Sequence, residues 1–455
     1  MISNSILSQI QVAETLQSSL QEKFGLKVNP FPKSGIANIK DSDEIVNQLA
    51  PVDSDVQQKI TSFLVDMVAH NTSGNSDQYQ SLILRGEYGT GKTHTLMFIQ
   101  FLCKNLGIDT CRPYVVYIDN PGLRLSELIG SVLSQIGMEN FRRYLWQRFL
   151  KYMEDVDKEE SRARYLILMD AINQAHPLPT RSLFTDDTLL PMSWEKCSSV
   201  SYKYLLDSMF KDKPMQIQKA AITLFKRYLV NYFTSTFESA SVAEYFYDIV
   251  TDNINVTRAW DVLTSGDVKN MDKREVHLLK AIVNIVKEQL GMTDFIILID
   301  EFEEIATGRL KETELDNYLR NLRLLIDREK NWCSVFAMNV KAMQQIERVS
   351  PPLASRIGDR IIDLKPFSLD SLKNVVANYL KIARVKDGME NSIYPFDESA
   401  LRAMLDTEDP TLKGSPRFIL KNCYQILQRA AEKLNVGEVI TDAFVKQEMS
   451  GLRNG

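Results

Sequence analysis

The run GEYGTGKT, residues 86–93, constrains the fold of this chain more than any other stretch. A short apolar segment, SLILR, precedes it. THTLMFIQFLCKN follows, with apolar residues at helical spacing, and closes at Gly107. An apolar strand, a glycine-rich turn and an amphipathic helix in that order form an anion cradle. Glycines let the main chain curl so that successive N–H groups converge, and the following helix brings its positive end to the same point. The run fits G-x-x-x-x-G-K-[ST] through Gly86, Gly91, Lys92 and Thr93. In that pattern the lysine reaches the β- and γ-phosphates of a nucleotide and the hydroxyl ligates Mg2+. Glu87, Tyr88, Gly89 and Thr90 complete the loop. His94 adjoins it on the helix, where a surface position accounts for it without chemistry.

A second segment supplies what such a loop needs. FIILIDEFEE places several apolar residues before a carboxylate. A buried strand there delivers Asp300 at its C-terminal end, where a Mg2+-organising carboxylate must stand beside the loop. Glu301, next in line, is suited to polarise an attacking water. Glu303 and Glu304 read as a solvated acidic turn. Lys92, Thr93, Asp300 and Glu301 together imply ATP or GTP bound with Mg2+, and hydrolysis.

Strand patterns also occur in PYVVYIDN, CSVFAMN (333–339) and RIIDLKPF (360–367), with helical patterns between them. Strands alternating with helices at this spacing imply an α/β fold built on a parallel sheet. Between about 138 and 280 the chain is rich in aromatics at helical spacing, as in NFRRYLWQRFLKYM and LFKRYLVNYFTSTF. Such a stripe reads as core rather than as a binding face, and the region as a helical insertion. Residues 368–455 are helical in pattern.

The formal net charge of −5 gives no basic footprint for nucleic acid over the whole molecule, so DNA stays open as a partner without support from charge. The five cysteines lack CxxC spacing and read as reduced and buried. The N-terminus lacks a secretory pattern and no apolar stretch is long enough to span a bilayer. A soluble cytoplasmic protein without membrane association is expected.

On these residues the chain resembles the AAA+ family of P-loop NTPases. Residues 86–93 resemble its Walker A motif and Asp300–Glu301 its Walker B motif. Asn339, ending VFAMN, is similar to sensor 1. PPLASRIGDRI resembles the segment carrying the arginine finger, with Arg356 as first choice and Arg360 as second. KGSPRFIL resembles sensor 2 at the start of a lid helix, with Arg417 reaching back to the γ-phosphate. A planar, permanently charged guanidinium suits these tasks. NPF at 29–31, the SRI segment and GSPRFIL resemble the initiator-type clade of origin-recognition ATPases, transposition ATPases of the TniB and TnsC kind, and ATP-binding proteins of BREX-like phage defence.

The resemblance implies an AAA+ core at 80–137 and 281–366, an N-terminal segment at 1–79, the insertion at 138–280 and a helical lid at 367–455. It implies a catalytic set of Lys92, Glu301, Asn339, Arg356 and Arg417. It further implies a homo-oligomeric ATP-driven switch, with a protein partner met through the insertion. Two alternatives stand beside it: a nucleotide-dependent scaffold with little turnover, and a DNA-binding regulator of the transposition type. The stretch between Thr93 and Asp300 is longer than a bare core requires, and the chain leaves no room after the lid for a winged-helix DNA reader.

Overall fold

The computed structural model describes residues 17–33, 54–72, 79–105, 112–154, 214–251, 256–265, 274–328, 332–385, 392–407 and 412–453. Five strands make one sheet: β1 (Gln80–Arg85), β2 (Pro113–Ile118), β3 (Asp294–Ile299), β4 (Cys333–Met338) and β5 (Ile361–Asp363). Every pairing is parallel, in the order β2-β3-β4-β1-β5. β3 and β4 are buried along their whole length. That is why FIILI and VFAM read as unbroken apolar runs: a parallel sheet is covered on both faces.

Successive side chains of each strand serve opposite faces. Leu82, Leu84, Ile296 and Leu298 meet α1 (Ser54–Thr72) and α2 (Lys92–Asn105) through Ile60, Phe63, Leu96 and Ile99. Ile83, Ile297, Ile299 and Phe336 face the other way, into the largest cluster. That cluster holds α3 (Leu125–Ile136), α8 (Arg274–Leu290) and α9 (Glu312–Arg328). It also holds α4 (Met138–Glu154), α5 (Met215–Phe237), α6 (Ala240–Thr251) and α7 (Val256–Ser265), which come from the stretch read as an insertion. The described part of that stretch therefore shares the core of the sheet instead of standing apart from it.

Its aromatics are core residues, as expected. Phe246 packs edge-on against Phe141, Phe233 and Phe237 at centroid distances of 5.3, 6.0 and 5.5 Å. At Gly130 α3 approaches α7 so closely that a Cβ would sit 2.1 Å from the Thr264 carbonyl oxygen. The rest of the insertion, including 155–213, lies outside the described residues.

α10 (Val340–Val349) and α11 (Pro351–Ile357) connect β4 to β5. Beyond β5, α12 (Leu369–Ala383), α13 (Glu398–Leu405), α14 (Pro416–Lys433) and α15 (Asp442–Arg453) bury a cluster of their own. The Ser368–Ser371 capping box starts α12. Leu20, Phe24, Leu26 and Phe31 belong to this C-terminal cluster, whereas α1 belongs to the sheet. The segment read as one N-terminal piece thus serves two units. NPF lies in the C-terminal one: Phe31 is buried against Tyr379 and Phe396, and Asn29 Nδ2 donates to the Tyr424 carbonyl at 2.9 Å.

Among the described residues no helix is long and apolar enough to cross a membrane. Cys103, Cys333 and Cys423 are buried. Cys111 and Cys197 lie outside the described residues.

Candidate active site

In a parallel sheet all strands end at one edge, and loops at that edge can share a crevice. The order β3-β4-β1 brings three such ends together: Asp300 and Glu301 after β3, Asn339 after β4 and the glycine loop after β1.

The loop has the backbone that its glycines permit. Gly89 and Gly91 have φ of +81° and +94°, the region that side chains disfavour. At Gly86 the constraint is contact: a Cβ would lie 2.4 Å from Thr90 Oγ1 and 3.0 Å from the Leu364 carbonyl. Thr90 N–H and Oγ1–H both donate to the Glu87 carbonyl, at 3.3 and 2.8 Å, closing a turn. α2 begins at Lys92, so its first free N–H groups point where the loop curls.

Thr93 and Asp300, 207 residues apart in sequence, meet directly: Thr93 Oγ1 donates to Asp300 Oδ2 at 2.6 Å. Asp300 is 3% exposed. Three donors hold its carboxylate: Thr93, the Tyr117 hydroxyl at 2.9 Å on Oδ2, and the Glu301 N–H at 2.9 Å on Oδ1. Burial, and then the Asp300 charge, push the Tyr117 hydroxyl well above the usual tyrosine range.

The acidic turn is shaped by Phe302. This ring is fully buried against Phe336 at 4.9 Å, and its N–H donates to the Ala337 carbonyl. Pinning Phe302 turns Glu301 outward, at a left-handed φ of +49° that a non-glycine residue rarely adopts. Glu301 is exposed at the rim. Its carboxyl group is held above the usual range by desolvation and by Glu304, Asp300, Glu303 and Asp119.

The remaining acids are less alike than the sequence analysis expected. Glu304 is bound by Asn120 Nδ2 at 3.0 Å and by Arg309 at 2.9 Å. Glu303 is no solvated turn residue, because its Oε1 lies 3.2 Å from Lys92 Nζ. Lys92 is buried, and its ammonium also donates to the Gly86 and Glu87 carbonyls at 3.0 and 3.4 Å.

The C-terminal helices reach the loop from outside. Arg417 N–H donates to the Gly89 carbonyl at 3.3 Å, and a Cβ on Gly89 would lie 2.7 Å from Ser415 Oγ. The Arg417 guanidinium lies over the exposed Tyr88 ring, 5.0 Å from its centroid, and bonds to its hydroxyl. Arg417 is therefore engaged with the loop itself.

Asn339 is the N-cap of α10 and accepts the Ala342 N–H at 2.7 Å, which explains its residue type without a ligand. His94 is half-buried on the first turn of α2.

Arg356 lies elsewhere. Its carbonyl and that of Ile357 accept from Ser81 Oγ, near the start of β1, and its side chain pairs with Asp327 at 2.9 Å on the surface. The run from Ser81 to Arg85 separates it from its own loop by about 13 Å. Arg360 is committed within the fold: it binds Asp66 at 2.7 Å and Gln80 at 3.4 Å, and lies over Phe63.

No family model matches the chain, and no curated protein matches it. The loop, with Gly89 and Gly91 at positive φ ahead of the N-terminus of α2, has a backbone that can turn main-chain N–H groups toward an anion. Among the described residues no group of three or more His, Cys, Asp or Glu is arranged to hold a metal ion. Thr93 with a single carboxylate is still a donor set suited to Mg2+, which takes one or two protein ligands and completes its shell with phosphate oxygens and water. Tyr117 was not found by motif reading, and the contact of Glu303 with Lys92 was not expected of a residue read as part of a solvated turn. Tyr117 carries no local signal, and only the register Tyr117↔Leu298 brings it to Asp300.

Proposed function

We propose that this protein is an ATP hydrolase of the P-loop kind that works with Mg2+ as a self-assembling switch. The observation that carries the reading is the 2.6 Å hydrogen bond from Thr93 to Asp300, which joins the glycine loop to the acid at the end of β3.

In this reading the main-chain N–H groups of residues 86–93 and the N-terminus of α2 hold the phosphates, and Lys92 supplies positive charge to the β- and γ-phosphates. Thr93 and Asp300 would hold Mg2+, which would supply charge neutralisation and polarisation at the phosphates. Glu301, turned outward beside Asp300, orients a water and takes up its proton at the carboxylate. Burial and the neighbouring carboxylates raise its proton affinity, which strengthens it as a base.

Arg356 stands too far from its own loop to act there, so the reading assigns it to the site of a neighbouring copy. Lys92 and Arg417, both already engaged, favour a switch that must be remodelled to fire over a constantly active hydrolase.

Calorimetry with ATP or GTP and Mg2+, followed by turnover measured against protein concentration, tests this. Saturable heat is expected, with turnover per chain rising with concentration. Lys92→Ala is expected to lose both, and Glu301→Gln to keep binding and lose turnover. Absence of heat from either nucleotide refutes the reading. Tight binding with turnover unchanged in Glu301→Gln refutes the catalytic role and favours the scaffold.

A further inference from the structure

The contact between Glu303 and Lys92 falls outside the chemistry assigned above, and it rests on the proposed nucleotide site. We infer that Glu303 is an internal competitor for the γ-phosphate: its carboxylate occupies Lys92 until a triphosphate displaces it, which sets the preference between tri- and diphosphate.

The pair is well shielded, with side-chain exposures of 9% for Lys92 and 19% for Glu303, so solvent screens it less than an exposed surface pair. Lys92 Nζ donates to the carbonyls of Gly86 and Glu87 and forms an ion pair with Glu303 Oε1 at 3.2 Å, so three oxygens surround it. A phosphate oxygen that approaches Lys92 competes with this carboxylate for the ammonium charge. The two carbonyls belong to the loop that cradles the phosphates, and they keep the lysine folded across it. Glu303 comes from the opposite wall, three residues beyond Asp300, and is the one anionic partner among the three.

The other carboxylate oxygen makes the displacement easy. Glu303 Oε2 is buried and accepts no hydrogen bond. A buried carboxylate with one oxygen unpartnered is poorly held. Its backbone is nonetheless fixed: Phe302 is pinned beside it, and the Glu303 carbonyl accepts Thr307 Oγ1 at 2.6 Å. The side chain can therefore leave Lys92 without unravelling the turn.

Glu303 lies on the β3 side of Lys92, where Asp300 stands, so its charge opposes a γ-phosphate more than a β-phosphate inside the loop. A triphosphate must both evict this carboxylate and sit beside it. A diphosphate meets less of that opposition. The device lowers affinity for ATP relative to ADP. Eviction also leaves a free carboxylate beside Glu301, whose proton affinity Glu303 already helps to raise.

The test uses full-length protein with Glu303→Gln, which keeps shape and removes charge, and Glu303→Ala, which removes the side chain. Dissociation constants for Mg2+–ATP and Mg2+–ADP are measured by calorimetry and association rates by stopped-flow with a fluorescent ATP analogue. Melting curves check folding. Both variants are expected to bind ATP about tenfold more tightly, with a clearly smaller change for ADP and faster association. ATP affinity unchanged or weakened in a folded Glu303→Gln protein overturns the inference, because a residue that only positions Lys92 would weaken binding when removed. An equal gain for ATP and ADP overturns the discrimination. If the unsubstituted protein binds neither nucleotide, the proposed function falls, and the inference with it. If it binds ATP and the variants match it, the inference falls alone.

Discussion

Replacing Asp300 by asparagine separates the structural work of this residue from its proposed chemistry. The buried carboxylate accepts three hydrogen bonds, from Thr93, Tyr117 and the Glu301 N–H. Hydrogen bonds to a charged acceptor contribute about 1.5–3 kcal/mol each, and neutral ones about 0.5–1.5. Asparagine can keep all three. Its oxygen accepts the Glu301 N–H, and its amide donates to the Thr93 and Tyr117 hydroxyls, which rotate to accept. The loss is about 1 kcal/mol per bond, offset in part because no charge is buried any longer. A net cost of about 1 kcal/mol follows, a shift of roughly 1 °C in a chain of this size. Asp300→Ala instead strands all three donors in a site 3% exposed, and is expected to cost about 3–5 kcal/mol.

In the proposed function both variants remove the carboxylate that would organise Mg2+, a contribution of several kcal/mol, so both should lose on the order of 10³ in Mg2+-dependent ATP turnover. Phosphate-release assays and thermal melts on the three proteins decide the matter. Turnover in Asp300→Asn within twofold of the unsubstituted protein would refute the role given to Asp300. A melting shift equal to that of Asp300→Ala would refute the account of the hydroxyls.

Gly130→Ala places a Cβ against the Thr264 carbonyl at 2.1 Å, and separating α3 from α7 should cost about 1–3 kcal/mol in a melting experiment; unchanged stability would mean that the two helices are not packed this way. Arg360→Ala removes contacts with Asp66, Gln80 and the Phe63 ring and should destabilise by about 1 kcal/mol. Arg356→Ala, at an exposed pair, should leave the melting temperature within about 1 °C while removing the rise of turnover with concentration. Burial pushes the Cys333 thiol up to about 12, so at pH 8 it is protonated and unreactive. Mass spectrometry after a thiol reagent should find Cys333 unlabelled in native protein and labelled after denaturation.

The sheet was legible because each strand carries its own signal. Burial on both faces favours runs of apolar residues, and LIL, FIILI and VFAM supply them. The first strand, the loop and the first helix occupy adjacent residues, so local pattern sufficed from Gln80 to Asn105. RIIDLKPF was less legible, since only Ile361–Asp363 pair with β1 before the chain turns away. The division of the N-terminal segment left no trace in pattern: the apolar spacing of 17–24 is the same whether it packs on a sheet or on other helices. Glu303 and Glu304 look equivalent in a row of acids, and only the pinning of Phe302 separates a carboxylate that meets Lys92 from one that meets Arg309.

By itself the sequence determined that a glycine-rich turn joins an apolar strand to a helix, and that a second strand ends in a carboxylate, because both depend on residues next to one another. Which of these ends meet was decided by the tertiary structure. Parallel register across β2, β3, β4 and β1 places Tyr117 and Thr93 on Asp300, sets Glu303 against Lys92 and leaves Arg356 at the far edge of the sheet, since contacts between residues hundreds of positions apart are fixed by how strands align and not by what each strand contains.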